Sequence, residues 1–195
     1  VDAETPITDA RVFDRHRKKI HRPHPDPEDI EQVEEILRSA EKPVIIAGGG
    51  VWYSQAEKDL EVLAMKYKIP IFTPFTHLKS IDMSHPLYMG LFDYHQNPCS
   101  RLVSAEADLV LLLCGRLDFG VNYGEAPLIG KDTTLVCVNA TARELSGNQL
   151  ADVRICSDIK AFVQSLNGSP HLTSNDADWA DRIRQARYDL YPIHI

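Results

Sequence analysis

The sequence lacks the features that would place it in a membrane or on a nucleic acid. No apolar run reaches the roughly 18 to 20 residues that cross a bilayer, and the first residues lack the apolar segment of a secretory signal. The 195 residues carry a net charge of -7, and the one basic cluster, at 15–19, is short. Such a chain would repel a phosphate backbone. We therefore expect a soluble cytoplasmic protein that has neither a membrane partner nor a nucleic-acid partner.

Cysteine and histidine lack the spacing that disulfides or metal sites use. Cysteine occurs at Cys99, Cys114, Cys137 and Cys156. No two of these four have the C-x-x-C spacing, and three lie in or beside apolar runs typical of buried strands, so we expect free thiols. His21 and His24 flank a proline, where no helix can bring their rings onto one ion. We expect no metal site.

Length and composition predict one globular domain with connecting arms. The chain is 44% hydrophobic and 25% charged, which is ordinary for a globular protein, and its length suits a single core. Residues 1–25 are polar and without a sustained apolar period, so they are predicted to form an inter-domain linker. The domain itself is predicted at 26–168. Residues 169–195 are predicted to be a polar link and a helix that lead to a missing domain.

Short apolar runs alternate with helical patterns through the domain. The predicted strands are at 44–47, 69–73, 109–114, 135–138 and 153–156. Four helix starts are predicted. They lie at Asp26, at a capping box formed by Ser54 and Glu57, at Asn97 and at Ser157. Continuous apolarity indicates strands covered on both faces, and strands joined through helices run parallel. The pattern predicts a doubly wound, mainly parallel, Rossmann-like α/β sheet of five to six strands with helices on both faces.

The first two strand ends are candidate ligand contacts, because open parallel sheets bind ligands beyond the carboxyl ends of their strands. The first strand ends in Gly48, Gly49 and Gly50, which either let a backbone approach a ligand or make a tight turn. A dinucleotide fingerprint would need a small residue where Tyr53 stands and an acidic one near Thr73. An ordinary NAD-linked dehydrogenase is therefore disfavoured.

Polar side chains also follow the later strands. Arg116, just after the third strand and a glycine, is placed to clamp an anion or to pair with Asp118. Asn139 ends the fourth strand and suits a ribose or an adenine edge, as does Asp158 after the fifth, unless Asp158 only caps a helix. The residues predicted to bind a cofactor are Gly48, Gly49, Gly50, Thr73, Arg116, Asn139 and Asp158. No residue of the chain is predicted to be catalytic.

Four segments, taken in order, carry a family resemblance. They are AEKPVIIAGGG at 40–50, IPIFT at 69–73, SHPLYMG at 84–90 and EADLVLLLCGRLD at 106–118. In this order they resemble the central domain of the thiamine-diphosphate-dependent decarboxylases and carboligases, over about residues 28–166. That group contains acetolactate synthase, oxalyl-CoA decarboxylase and 2-hydroxyacyl-CoA lyase.

The resemblance implies a nucleotide pocket. Family members hold FAD, ADP or the nucleotide part of CoA in this domain, and some hold none. The three glycines, Arg116 and Asp158 match positions that line the pocket, whereas Asn139 stands where many members have aspartate. The segment from Arg116 to Gly124, with Glu144, is closer to the CoA-lyase branch.

The resemblance also implies that catalysis needs parts outside this chain. Thiamine diphosphate and Mg²⁺ would be bound by flanking pyrimidine-binding and diphosphate-binding domains of the same polypeptide, in a homo-oligomeric enzyme acting on a 2-keto acid or an acyl-CoA. None of the ten glycines is followed by aspartate, so the family's Gly-Asp-Gly motif is not in this sequence. The chain is then an excised domain or a divergent subunit. Two alternatives are a stand-alone nucleotide-binding or regulatory subunit and a structural spacer without a ligand.

Overall fold

The computed structural model of the protein describes residues 21–172 and 177–190. Most of the predicted linker at 1–25 lies outside the described residues. No described helix is long and apolar enough to cross a membrane.

Six parallel strands form one sheet. The strands are β1 (Pro43–Ala47), β2 (Ile71–Thr73), β3 (Tyr88–Leu91), β4 (Leu109–Leu113), β5 (Thr134–Asn139) and β6 (Val153–Cys156). Their order is β3-β2-β1-β4-β5-β6, and every neighbouring pair is parallel. The chain therefore builds outward in two directions from the β1–β4 pair, which is the topological switch point of the sheet.

Helices cover both faces of this sheet. The helices are α1 (Pro27–Ser39), α2 (Gly49–Tyr53), α3 (Glu57–Tyr67), α4 (Pro98–Glu106), α5 (Ala142–Ser146), α6 (Ile159–Gly168) and α7 (Ala177–Leu190), with 3-10 segments at Phe75–Ser80 and Phe119–Gly124. α1 and α3 pack against α6, while α4 packs against α7. The β1–β2 and β3–β4 crossovers run in opposite directions, so the right-handed rule places their helices on opposite faces. The predicted doubly wound, Rossmann-like fold is confirmed, with six strands.

Burial of the strands follows their position in the sheet. Every residue of β1 and β4 is buried, as expected for central strands covered on both faces. The edge strand β6 instead alternates, with Val153 and Ile155 buried and Arg154 and Cys156 exposed. The sequence-based expectation that this strand is buried throughout was therefore wrong. β3, the other edge strand, was not predicted at all.

Two predicted helix caps were wrong, one by two residues and the other by one. Ser54 closes α2, because its hydroxyl donates to the Gly50 carbonyl at 2.6 Å, and α3 begins after Ala56 without a side-chain cap. The predicted Ser54–Glu57 capping box is therefore not formed. At α6 the cap is Asp158, which accepts from the Ala161 amide at 3.2 Å, rather than Ser157.

The last helix packs onto the domain. Trp179 is 4% exposed, and its indole N–H donates to the Pro43 carbonyl at 3.2 Å, at the start of β1. Lys42 and Arg182 lie over its ring, and both donate to Glu106 at the end of α4. The predicted arm thus begins as a well-anchored part of this domain. That it leads to a further domain stays a prediction.

Candidate functional site

A cavity of about 450 Å³ opens at the carboxyl edge of the sheet, where the strand order reverses. Residues that follow or end four strands form its wall: Gly49 and Gly50 after β1, His77 after β2, Arg116 after β4, and Asn139 in β5. This is the place where open α/β sheets bind ligands, and the volume lies in the range of small-molecule sites. Four of the seven residues predicted to bind a cofactor therefore meet in one cavity.

Gly48 and Thr73, also predicted to bind a cofactor, lie beneath the cavity wall. The Gly48 N–H donates to the Leu113 carbonyl at 2.8 Å, and its own carbonyl accepts from the Ser80 hydroxyl at 2.8 Å. Thr73 is fully buried, with its hydroxyl 3.0 Å from that of Tyr88. Both residues hold the loops that carry the wall.

Close packing accounts for all three glycines. A side chain at Gly48 would collide with the backbone carbonyl of Cys114, and one at Gly50 would collide with the Cys114 side chain. At Gly49 the obstacle is the His77 ring. Gly48 and Gly50 therefore let the ends of β1 and β4 come together, whatever the cavity holds, whereas the His77 ring can turn away from a side chain at position 49.

Cys114 forms part of the cavity wall and is poorly suited to be a nucleophile. It adopts a left-handed conformation, with φ of 54°, and this ends β4 one residue earlier than predicted. Burial raises the pKa of its thiol above the ordinary value, although amide N–H groups of Gly50 and Ala140 oppose the shift. The thiol is thus protonated at neutral pH, and a thiol attacks only as the thiolate.

Arg116 does not pair with Asp118, the partner considered from the sequence. Its guanidinium makes a two-point contact with Glu144 of α5, with Nε donating to one carboxylate oxygen and Nη2 donating to the other at 2.7 Å. The Arg116 guanidinium holds the pKa of Glu144 below its usual range. Asp118 instead accepts from the Gly120 amide at 2.9 Å. Both members of the Arg116–Glu144 pair line the cavity.

Asn139 offers the cavity a polar group without a protein partner. The residue is only 5% exposed, and its backbone carbonyl accepts from the Ser157 amide at 2.9 Å. Within 21–172 and 177–190, no hydrogen bond is made by its side-chain amide, and the residue lines the cavity. The amide atoms are not sealed from solvent, so a ligand's hydrogen-bonding edge can reach them.

Asp158 is engaged by the chain itself. Besides capping α6, both of its carboxylate oxygens accept from Arg22 Nη1 at 2.9 Å, and its amide donates to the Pro23 carbonyl at 2.8 Å. Arg22 also donates to the Ser54 carbonyl at 2.8 Å. The capping alternative thus describes Asp158 in this structure, and the carboxylate ties the segment before α1 to the sheet edge.

Sequence analysis missed the exposed aromatic residues of the cavity. Tyr53, Phe75 and Phe119 all line it, and each side chain is at least three-quarters exposed. Phe75 and His77 come directly after β2, so the rule about strand ends could have found them. At the end of β2, only Thr73 was predicted to bind a ligand.

Among the described residues, no group of three or more His, Cys, Asp and Glu side chains could hold a metal ion. No disulfide joins the four cysteines, all of which lie in the described part of the chain, and Cys156 is exposed rather than buried as expected.

Comparisons with known proteins agree with the fold and the strand-end motifs. Residues 30–166 match the family model described as "Thiamine pyrophosphate enzyme, central domain". The acetolactate synthase large subunit of Lactococcus lactis subsp. lactis (strain IL1403) is 30% identical over 152 residues, which are 76% of this chain and 26% of that protein. The acetolactate synthase large subunit of Cyanidium caldarium is 28% identical over 172 residues, 85% of this chain and 29% of that protein.

A solved structure shares the fold. The benzoylformate decarboxylase from Polynucleobacter necessarius superposes with a TM-score of 0.67 at 19% identity, over 89% of this chain and 31% of that one. The chain thus spans less than a third of the length of each of these relatives. By its match to the family model over most of its length, the chain belongs to the thiamine pyrophosphate enzyme central-domain family.

Proposed function

We propose that this chain is the central domain of a thiamine-diphosphate-dependent carboligase or decarboxylase that acts on a 2-keto acid or an acyl-CoA. We propose further that its cavity binds an adenine nucleotide: ADP, or the ADP part of FAD or CoA. Thiamine diphosphate with Mg²⁺, held by flanking domains, would supply the carbon nucleophile that adds to the carbonyl group. The present chain would bind and orient the nucleotide and support those domains.

The single observation that carries the nucleotide proposal is the partnerless amide of Asn139 in a cavity at the topological switch point. An adenine edge or a ribose would give this amide its missing hydrogen bonds. The exposed rings of Phe75 and Phe119 line the same cavity and suit stacking on a base. Arg116 supplies a fork of N–H donors that matches a phosphate.

The test is direct binding to the 195-residue chain. Thermal unfolding is followed with FAD, ADP and CoA, each added from micromolar to millimolar concentration, and a rise in the midpoint with at least one of them is expected. Asn139→Ala is expected to weaken the affinity by about three- to tenfold, the value of one neutral hydrogen bond. Gln149→Ala, an exposed polar change away from the cavity wall, is the matched control and should leave affinity unchanged.

The second candidate is a structural spacer whose cavity takes no ligand. The observation that favours it is the packing of Gly48 and Gly50, since Cys114 leaves no room for a side chain at either position. For a spacer, none of the three nucleotides would shift the unfolding midpoint, and Asn139→Ala would change stability alone. That result would refute the nucleotide proposal.

The proposal for the parent enzyme has its own test. The reading frame that encodes this chain is expected to contain a glutamate-bearing domain before it and a Gly-Asp-Gly domain after it. The purified product of that frame, with thiamine diphosphate and Mg²⁺, should release CO₂ from a 2-keto acid and behave as a homo-oligomer. A frame without either domain would instead favour a stand-alone nucleotide-binding or regulatory subunit.

A further inference from the structure

The phosphate-binding group of the cavity is already in use. Arg116 directs Nε and Nη2 at the two carboxylate oxygens of Glu144. These are neighbouring donors of the kind that a guanidinium offers to a phosphate in a two-point contact. A phosphate therefore cannot make this contact with Arg116 while Glu144 holds it.

The pair is also placed so that it can open. The Arg116 side chain is 69% exposed and that of Glu144 is 29% exposed. Water can therefore replace the hydrogen bonds that the two side chains lose when they separate. Exposed ion pairs are weak, because water screens both partners. A phosphate with more charge than a carboxylate could displace Glu144 without disturbing the core.

The charges of the cavity wall determine whether the cavity attracts an anion, and the displacement of Glu144 changes them. The wall carries one arginine and two carboxylates, Glu144 and Asp118. With Arg116 neutralised by Glu144, Asp118 leaves the wall negative and unattractive to an anion. Release from Glu144 frees both the charge of Arg116 and its Nε–Nη2 edge for a phosphate.

We propose that Glu144 is an internal competitor that occupies the Arg116 guanidinium until a phosphate group of the nucleotide displaces it. This inference rests on the proposed nucleotide function. Glu144 thereby lowers the affinity of the site for anions. A ligand whose other groups also bind, at Asn139 for example, can separate Arg116 from Glu144, whereas inorganic phosphate alone cannot.

The test measures ADP and adenosine affinity by calorimetry in the 195-residue chain and its variants. Glu144→Gln is expected to bind ADP about threefold more tightly, as the loss of a weak exposed pair permits. Its affinity for adenosine, which has no phosphate, should not change. Asp118→Asn removes the same charge from the same wall without touching the pair, and should tighten ADP binding less than Glu144→Gln does.

A double-mutant cycle identifies the route of the effect. Arg116→Gln should weaken ADP binding, and adding Glu144→Gln to it should give no further gain. A gain that persists without Arg116 would mean that Glu144 acts through its charge alone, and would overturn the inference. A loss of adenosine affinity in Glu144→Gln would overturn it too, because Glu144 would then be a ribose ligand.

The two proposals fail in different ways. ADP binding to the wild type that Glu144→Gln does not alter refutes the competitor and leaves the nucleotide site standing. No binding of ADP to the wild type or to any variant refutes both. Circular dichroism of each variant checks folding, and Glu144→Ala, expected to act in the same direction as Glu144→Gln, serves as the second variant.

Discussion

Two arginine–carboxylate pairs lie at the carboxyl edge of the sheet, and they differ in what surrounds them. In the first, Asp158 is 12% exposed, caps α6 and holds Arg22 through both oxygens. In the second, Glu144 and Arg116 stand in the cavity wall, and the arginine is largely exposed. The chemistry of the two pairs is the same, but the number of other bonds to each carboxylate is not.

The difference separates a structural contact from one that a ligand can replace. Asp158 makes three kinds of contact at once: with a helix amide, with Arg22, and through its own amide with the Pro23 carbonyl. Opening that pair would leave a mostly buried carboxylate without its cation. Glu144 makes only the contact with Arg116 through its side chain among the described residues. Opening it costs little, because water reaches both partners.

The largest expected effect is on folding stability when the first pair is cut. Asp158→Ala should lower the free energy of unfolding by about 2 kcal/mol, because it removes a helix cap and leaves Arg22 without its partner. Glu144→Ala should produce no loss that urea denaturation followed by circular dichroism can resolve. Asp158→Asn, which keeps the cap but not the charge, should fall between them. Equal losses for Asp158→Ala and Glu144→Ala would contradict the comparison.

A smaller effect is expected from salt. Double-mutant cycles of Arg22 with Asp158 should give a coupling of about 1 kcal/mol, near the upper end for partly exposed pairs. Most of that coupling should survive 1 M NaCl, because Asp158 is shielded from solvent. The coupling of Arg116 with Glu144 should be smaller and should vanish at the same salt concentration. Two couplings that respond alike to salt would show that both pairs are surface contacts.

The smallest effect is on the titration of Glu144. Its pKa lies below the usual range because Arg116 donates to it. A carboxyl with a depressed folded-state pKa adds stability above its unfolded pKa and loses that contribution as the pH falls through the folded value. The contribution should therefore fade below about pH 4.3, the pKa of an unfolded glutamate. In Arg116→Gln, carbon-detected NMR should find the Glu144 carboxyl titrating nearer its ordinary range, and an unchanged midpoint would argue against the pair in solution.

The sheet was largely predictable from the sequence, because its central strands leave a strong local signal. Four apolar runs, and the run 153–156 that contains Arg154, predicted β1, β2, β4, β5 and β6, and their separation by helices predicted that the strands are parallel. The edge strand Tyr88–Leu91 left no such signal, since it is only four residues long, contains a glycine and is partly exposed. Ser54 was assigned to the wrong helix because α2 is too short for a periodic pattern.

The sequence indicated several residues that line the cavity, but it did not indicate which residues form ion pairs with one another. Four residues chosen from strand ends, Gly49, Gly50, Arg116 and Asn139, line one cavity, and their binding of a cofactor stays a prediction. The partners were missed because they are distant in sequence: Glu144 lies 28 residues from Arg116, and Arg22 lies 136 residues from Asp158. Only the order of the strands decides which of the many carboxylates meets each arginine.

The two tryptophans give the molecule its own optical probes. Trp179, in α7, is 4% exposed, and Trp52, in α2 beside the cavity residue Tyr53, is 49% exposed. Acrylamide should therefore quench the red-shifted emission of Trp52 while sparing Trp179. The emission of Trp179 reports unfolding, and the emission of Trp52 reports ligand binding at the cavity. Stability and occupancy can therefore be recorded separately in one unlabelled sample.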